Sequence, residues 1–272
     1  MTNQIQKIEI HNLWGKFNYK WTLNPDVNIL AGLNGSGKSS VLQIIDAVFA
    51  GETKRLKELG VQGFIKGTGF EFIFNKSKPI DGWEKRNYVN VSHFNIPLED
   101  RKYIKDNASL LDVELDSLIS SHRPGRYSFK DFREEAKNDP EKTERYDQRI
   151  TVLFETINKL FERSGKQIMI DPKTDVVSVF KETDPILFTQ LSSGEKQLLI
   201  ILFKVFLMEE HPAILLLDEP ENSLHIEWQQ QLIDVIRTLN SNCQLIISTH
   251  SPSIFGDGWG DKLFFLEDMI LK

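Results

Sequence analysis

The run Gly32-Leu33-Asn34-Gly35-Ser36-Gly37-Lys38-Ser39 has the spacing G-x-x-x-x-G-K-S. An apolar stretch, Val27-Asn28-Ile29-Leu30-Ala31, precedes it, and the helix-like Ser40-Val41-Leu42-Gln43-Ile44-Ile45 follows. The predicted order is therefore strand, loop, helix. In that setting successive backbone N–H groups form a nest for phosphate oxygens, and the helix N-terminus adds partial positive charge. Glycines let the backbone approach the phosphates closely. At average glycine usage, four fixed positions recur by chance in roughly one chain in a hundred of this size. The pattern predicts a nucleoside triphosphate cradled by the backbone of Asn34, Gly35, Ser36, Gly37, Lys38, Ser39 and Ser40. Lys38 is the residue expected to reach the β and γ phosphates, and the Ser39 hydroxyl to bind Mg2+.

A second signal lies far along the chain. Ala213-Ile214-Leu215-Leu216-Leu217 is a continuous apolar run, the pattern of a buried parallel strand, and it ends in Asp218-Glu219-Pro220. Ligand groups in open α/β sheets gather at the carboxyl ends of strands. Asp218 is thus expected to hold Mg2+ opposite Ser39, and Glu219 to orient or deprotonate an attacking water.

Composition narrows the class. The 272 residues are 40% apolar and 26% charged, with a net charge of −6, which argues against a surface built to coat nucleic acid but leaves room for a local basic groove. Arg123-Pro124-Gly125-Arg126 with Lys130 is the one small basic cluster between residues 101 and 170. No apolar run approaches the roughly 20 residues that cross a bilayer. The first residues are polar and lead into a strand pattern, unlike a signal peptide. The single Cys243 cannot form an internal disulfide, so a cytoplasmic, reduced location is expected. His122, His211 and His225 make no metal-ligand spacing with one another or with Cys243, and no zinc site is predicted.

The chain reads as three stretches. Residues 1–96 carry strand patterns at 4–11, 18–23, 26–31, 70–74 and 88–94 around the phosphate-loop helix. Residues 97–165 are charged and helix-prone, with an amphipathic face over 150–161, and form a short helical insertion without a sustained heptad. Residues 166–272 return to alternating strands (167–170, 176–180, 213–218, 243–249, 262–266) and helices (193–208, 223–239). The first and third stretches are expected to form one ATPase core, its sheet mixed and carrying an antiparallel edge.

Three further motifs carry a family resemblance. Leu191-Ser192-Ser193-Gly194-Glu195-Lys196-Gln197 resembles the signature motif of ABC ATPases, Asn222-Ser223-Leu224-His225 the D-loop, and Ser248-Thr249-His250-Ser251-Pro252 the switch-histidine segment. Their order matches that family across nearly the whole chain. The motif variants are similar to the RecF, SMC and OLD-like group, and most of all to small single-domain OLD-like ATPases of bacterial antiphage modules such as Septu and retron systems. The resemblance implies an α/β P-loop ABC-ATPase head that hydrolyses ATP with Mg2+. His250 becomes the γ-phosphate sensor. It implies that Ser192, Ser193 and Gly194 grip the nucleotide of a second copy, in a homodimer or larger assembly with ATP sandwiched between subunits. Trp14 or Phe17 is a candidate to stack on adenine. No glutamine stands at the lid position, where His93 or Asn95 takes its place.

What ATP drives stays open at this level. One reading is a switch that controls a nearby effector, such as a nuclease or another toxin, in antiphage defence. A second is a RecF-like ATPase that engages DNA directly. A third is a scaffold glued by ATP with little turnover. A transporter motor fits the motif variants least.

Overall fold

The computed structural model describes residues 4–75, 78–92, 109–120, 127–208, 211, 213–256 and 258–271. The chain divides into two compact units. One comprises Met1–Asn95, His211–Asn222 and Asn242–Lys272, the other Ile96–Glu210 and Ser223–Ser241.

The first unit begins with β1 (Ile5–Leu13), β2 (Phe17–Thr22) and β3 (Val27–Ala31), followed by α1 (Lys38–Phe49) and α2 (Thr53–Leu59). Strands β4 (Gln62–Gly67), β5 (Phe70–Asn75), β6 (Lys78–Asp81) and β7 (Tyr88–Ser92) come next. The second unit supplies α3 (Leu110–Ser120), α4 (Phe129–Asn138) and α5 (Pro140–Phe161), then β8 (Lys166–Ile170), β9 (Val177–Lys181), β10 (Asp184–Ile186) and α6 (Ser193–Leu207). The chain then makes β11 (Ala213–Asp218) in the first unit, α7 (Ile226–Leu239) in the second, and β12 (Cys243–Ser248) and β13 (Leu263–Phe265) in the first again.

Two sheets build the first unit. The strands β13-β3-β12-β11-β7 pair in that order, every pair parallel. All residues of β3, β11 and β12 are buried, their apolar runs interrupted only by the buried polar residues Asn28 in β3 and Gln244 in β12 before β11 and β12 end on polar residues. The order β2-β1-β4-β5-β6 forms a second, wholly antiparallel sheet. In β1, Ile8 and Ile10 alternate into the core, and register shifts between Ile5 and Lys7 and between Ile10 and Leu13 bring Ile5 and Leu13 into it as well. Parallel and antiparallel strands are thus segregated into separate sheets, and the antiparallel part is larger than an edge.

One fully buried polar side chain joins the two sheets. Gln244 of β12 accepts a hydrogen bond from the Ile5 N–H at 2.7 Å and donates to the Ile5 carbonyl at 2.8 Å and the Asn24 carbonyl at 2.7 Å. A buried amide survives because every partner is satisfied.

Aromatic packing organises the second unit. Phe132 meets Tyr146 at 4.4 Å and Phe206 at 4.7 Å between ring centroids, and Phe129 meets Phe203 at 5.4 Å. The Arg149 guanidinium lies over Phe206 at 4.7 Å and donates to its carbonyl at 2.6 Å. Helix α5 starts ten residues before the apolar periodicity that predicts it. Its first turns are nucleated by capping: the Asp139 side chain accepts from the Glu141 N–H, and Pro140 stands at the first helical position.

Gln244→Leu leaves the Ile5 backbone groups buried without partners. It is expected to lower unfolding free energy by about 3 kcal/mol, read from the shift of the urea midpoint.

Candidate nucleotide site

The phosphate loop links β3 to α1. Gly37 is the N-cap of α1 at φ 111°, a left-handed conformation that suits glycine, and no side chain caps the helix. No acidic residue occupies its first turn. The leading N–H groups of a twelve-residue helix are therefore left to an anion. Lys38 is only 3% exposed. Its ammonium donates to the carbonyls of Gly32 and Leu33, each at 3.1 Å, folding the side chain back over the loop. Burial lowers the Lys38 pKa, and the carboxylates of Glu219, Glu267, Asp218 and Glu221 oppose that shift. Tyr19 donates its hydroxyl proton to the Ser36 carbonyl at 3.0 Å. The Ser36 hydroxyl is buried with no hydrogen-bond partner among the described residues, a donor inside the loop with nothing yet to hold.

The acidic end of β11 meets this loop. Parallel register sets Asp218 beside Ser248, and Ser248 beside Leu30 of the strand that feeds the loop. One Asp218 oxygen accepts from the Ser39 hydroxyl at 2.9 Å and also from the Ser248 hydroxyl. Glu219 follows at φ 47°, a left-handed conformation costing a non-glycine residue about 1–3 kcal/mol. Its N–H donates to the Ser248 carbonyl at 3.0 Å, which holds the turn. Its carboxylate lies 3.1 Å from His250 Nε2 and accepts from the Asn222 amide at 3.0 Å. Lys38, Ser39, Asp218, Glu219 and His250, drawn from three separate segments, thus share one end of the parallel sheet.

Glu221, not singled out by its sequence position, ties two of these segments. One of its oxygens accepts from the Thr249 hydroxyl at 2.8 Å and the His250 N–H at 2.6 Å. The acid-rich run Asp218-Glu219-Pro220-Glu221 was the available signal. Asn34 and Gly35 are exposed and Ser40 is half-buried. Trp14 is 50% exposed, and its ring lies against Gly37, where an added Cβ would come within 3.4 Å. Phe17 stands edge-on to Trp14 at 6.2 Å and stacks on Tyr19 at 5.9 Å. Trp14 therefore offers a half-open ring beside the loop, and Phe17 supports it. His93, Asn95, Arg123 and Arg126 lie outside the described residues.

The signature-like residues belong to the second unit. Ser192 is the N-cap of α6, and its hydroxyl accepts from the Glu195 N–H at 3.2 Å while Glu195 accepts from the Ser192 N–H at 2.8 Å. This capping box leaves Ser192 and Ser193 exposed at the helix start and Gly194 buried. Lys166 of β8 grips the Glu195 carboxylate with bonds of 2.7 and 2.8 Å. Burial would raise the Glu195 pKa, but the hydrogen bond from Lys166, those from Ser192 and the lysine charge outweigh it and lower the pKa.

An α/β unit with a phosphate loop, an acidic strand end and a histidine-bearing strand end defines a nucleotide-binding ATPase of the ABC type. Solved structures carry the same fold. An SMC head bound to the C-winged helix domain of ScpA aligns with a TM-score of 0.52 at 16% identity, over 93% of this chain and 91% of that one. An SMC head with an extended coiled coil, bound to the C-terminal domain of ScpA derived from Pyrococcus furiosus, gives 0.53 at 15% identity over the same shares. Residues 84–256 match the model of the family described as "AAA domain, putative AbiEii toxin, Type IV TA system". That stretch exceeds half of the chain, and the chain belongs to this family. The match contains the signature, acidic and switch-histidine segments and starts beyond the phosphate loop, so the two signals are independent. The chain is 22% identical to Septu protein PtuA of Bacillus thuringiensis across 91% of its own length and 72% of that protein. It is 28% identical to the "Retron Vc95 probable ATPase" of Vibrio cholerae serotype O1 biovar El Tor over 43% of its length and 25% of that protein.

Lys166→Met leaves the Glu195 carboxylate buried without its cation and is expected to cost about 3–5 kcal/mol at neutral pH. Glu195 has a lowered folded pKa, so its contribution is present above the unfolded pKa and is lost as pH falls through the folded value. The deficit of the variant should therefore shrink in acid, as urea denaturation at several pH values would show.

Proposed function

We propose that this protein is an ATP-hydrolysing, nucleotide-driven dimer switch that controls a partner effector in bacterial antiphage defence. The observation that carries the ATPase reading is the contact of Ser39, Asp218, Glu219 and His250 at one strand end, beside an uncapped phosphate-loop helix. The likeness to a Septu protein and a retron ATPase supports the defence setting, and a cytoplasmic location is proposed along with it.

In this reading the N–H groups from Asn34 to Ser40 and the Lys38 ammonium bind the β and γ phosphates of ATP, and the Ser36 hydroxyl finds its partner there. Trp14 stacks on the adenine. A hydroxyl and a carboxylate oxygen 2.9 Å apart are hard oxygen donors suited to Mg2+, so Ser39 and Asp218 would hold that ion. When bound, it neutralises charge on the phosphate oxygens. Glu219 accepts a proton from the attacking water. The water oxygen bonds to the γ-phosphorus as the β–γ bridge bond breaks, and the electron pair of that bond leaves on ADP. His250, 3.1 Å from Glu219, orients the carboxylate and senses the γ-phosphate.

The exposed signature residues are what support the dimer in this reading. Ser192 and Ser193 lie exposed at the start of a fifteen-residue helix, a surface fitted to a phosphate carried by another copy. ATP then closes two copies face to face, and hydrolysis releases them. A nuclease or other toxic effector reads that state through the helical insertion.

Glu219→Gln is expected to lower turnover by about 100-fold or more and to give an ATP-dependent dimer by light scattering. Lys38→Ala should abolish ATP binding. Mixing inactive Lys38→Ala with inactive Ser192→Arg should restore turnover, because one mixed site is then intact. A monomeric Glu219→Gln protein at saturating ATP and Mg2+, with no rescue on mixing, would sink the dimer switch.

A further inference from the structure

The sheet carries one more acid to the phosphate loop. Strand β13 runs parallel beside β3, with Leu263 next to Ile29, Phe264 next to Leu30 and Phe265 next to Ala31. Past Phe265 the chain turns into a short 3-10 helix, Leu266–Met269, which carries Glu267 at the end of the sheet where β3 gives way to the loop. The side chain makes the contact. One Glu267 oxygen accepts from the Leu33 N–H at 2.8 Å. The carboxylate also fills the space beside Gly32, where an added Cβ would stand 2.8 Å from Oε2 and 2.9 Å from Oε1. Gly32 has a φ of 148°, a conformation that favours glycine, and it sits directly against this carboxylate.

Other contacts hold the segment that bears Glu267. Leu266 and Met269 are buried on either side of it. Ile270 bridges to Tyr19, and the Leu271 N–H donates to the Asn18 carbonyl at 2.9 Å. Tyr19 in turn grips the Ser36 carbonyl at 3.0 Å. The loop is thus clamped from two sides, at Leu33 by Glu267 and at Ser36 by Tyr19, and both clamps lie outside its motif.

We infer that Glu267 is a positioning residue of the nucleotide site, setting the entry of the phosphate loop through the Leu33 N–H. This inference rests on the proposed ATP reading of that loop. A carboxylate is a poor neighbour for a triphosphate unless its geometry is needed, since its charge repels the ligand. Leu33 is not among the residues assigned to the phosphates, so Glu267 does not compete for their donors. It constrains the chain just ahead of them, where a misplaced loop would misalign every later N–H.

Calorimetric titration with ATP and Mg2+ tests this, with thermal melts run in parallel. Glu267→Ala should weaken ATP binding about tenfold, equivalent to about 1.4 kcal/mol, and raise KM more than it lowers kcat. Glu267→Gln keeps an acceptor for Leu33 and should bind within about threefold of wild type. Glu267→Asp, one methylene short, should resemble alanine and replaces it if Glu267→Ala does not fold. Equal or tighter binding by the alanine and aspartate variants would overturn the inference, leaving only charge repulsion. Equal weakening in alanine and glutamine variants would also overturn it, by making charge the cause. Retained ATP binding by Lys38→Ala would instead sink the reading of the loop itself.

Discussion

Everything at the candidate site depends on the register of the parallel sheet. Asp218 lies level with Ser248, and Ser248 level with Leu30, at the last rungs of β11, β12 and β3. Past those rungs each strand gives way to a loop, and the three loops emerge side by side. Residues as distant in sequence as Ser39 and Asp218 therefore meet at 2.9 Å without any long connection having to aim them. The buried runs of Val, Ile and Leu in these strands supply the free energy that offsets the local cost of Glu219 in a left-handed turn. A one-residue slip in any strand would exchange core for site, so packing and function enforce the same register.

Charge is the second constraint. Glu219, Glu267, Asp218 and Glu221 all act on the buried ammonium of Lys38. Their charge opposes the effect of burial, which still lowers the Lys38 pKa. A triphosphate adds more negative charge to the same place. Under the proposed function, the anion is accommodated by backbone dipoles of the loop and helix α1, and by a divalent ion between Ser39 and Asp218. On that proposal, nucleotide affinity would depend on the metal.

The sequence was most legible where chemistry is local. The phosphate loop, the strand ending in Asp218 and the strand ending near His250 are contiguous motifs whose residue types follow from short-range requirements. The core strands were readable from their apolar runs, and the middle of β1 from its alternation. Less was visible where tertiary structure decides. Strands β4, β6 and β10 and helix α2 are short, and β4 carries glycines at both ends of its polar-apolar run, so no period stands out. The first half of α5 has a capped start but few apolar residues. Glu267 and Lys166 were invisible for another reason. Each acts through a partner brought near by pairing or packing, and neither lies in a motif.

Lys166 shows how the second unit can present a precise surface without a rigid loop. The start of α6 must stay exposed if Ser192 and Ser193 are to meet another molecule, yet exposed helix ends fray. Glu195 resolves the conflict by facing both ways. Its backbone N–H and one carboxylate oxygen close the capping box on Ser192, while both oxygens take the Lys166 ammonium from β8. Asp112 of α3 and Glu114 beside it pair with Lys196 and Lys204 further along α6 at 2.7 and 2.8 Å. The helix is held along its length by ion pairs to the helical insertion and its adjoining hairpin. Within this unit, ion pairs thus tie α6 to β8 at its first turn and to α3 further along, which steadies the helix end that presents the signature serines.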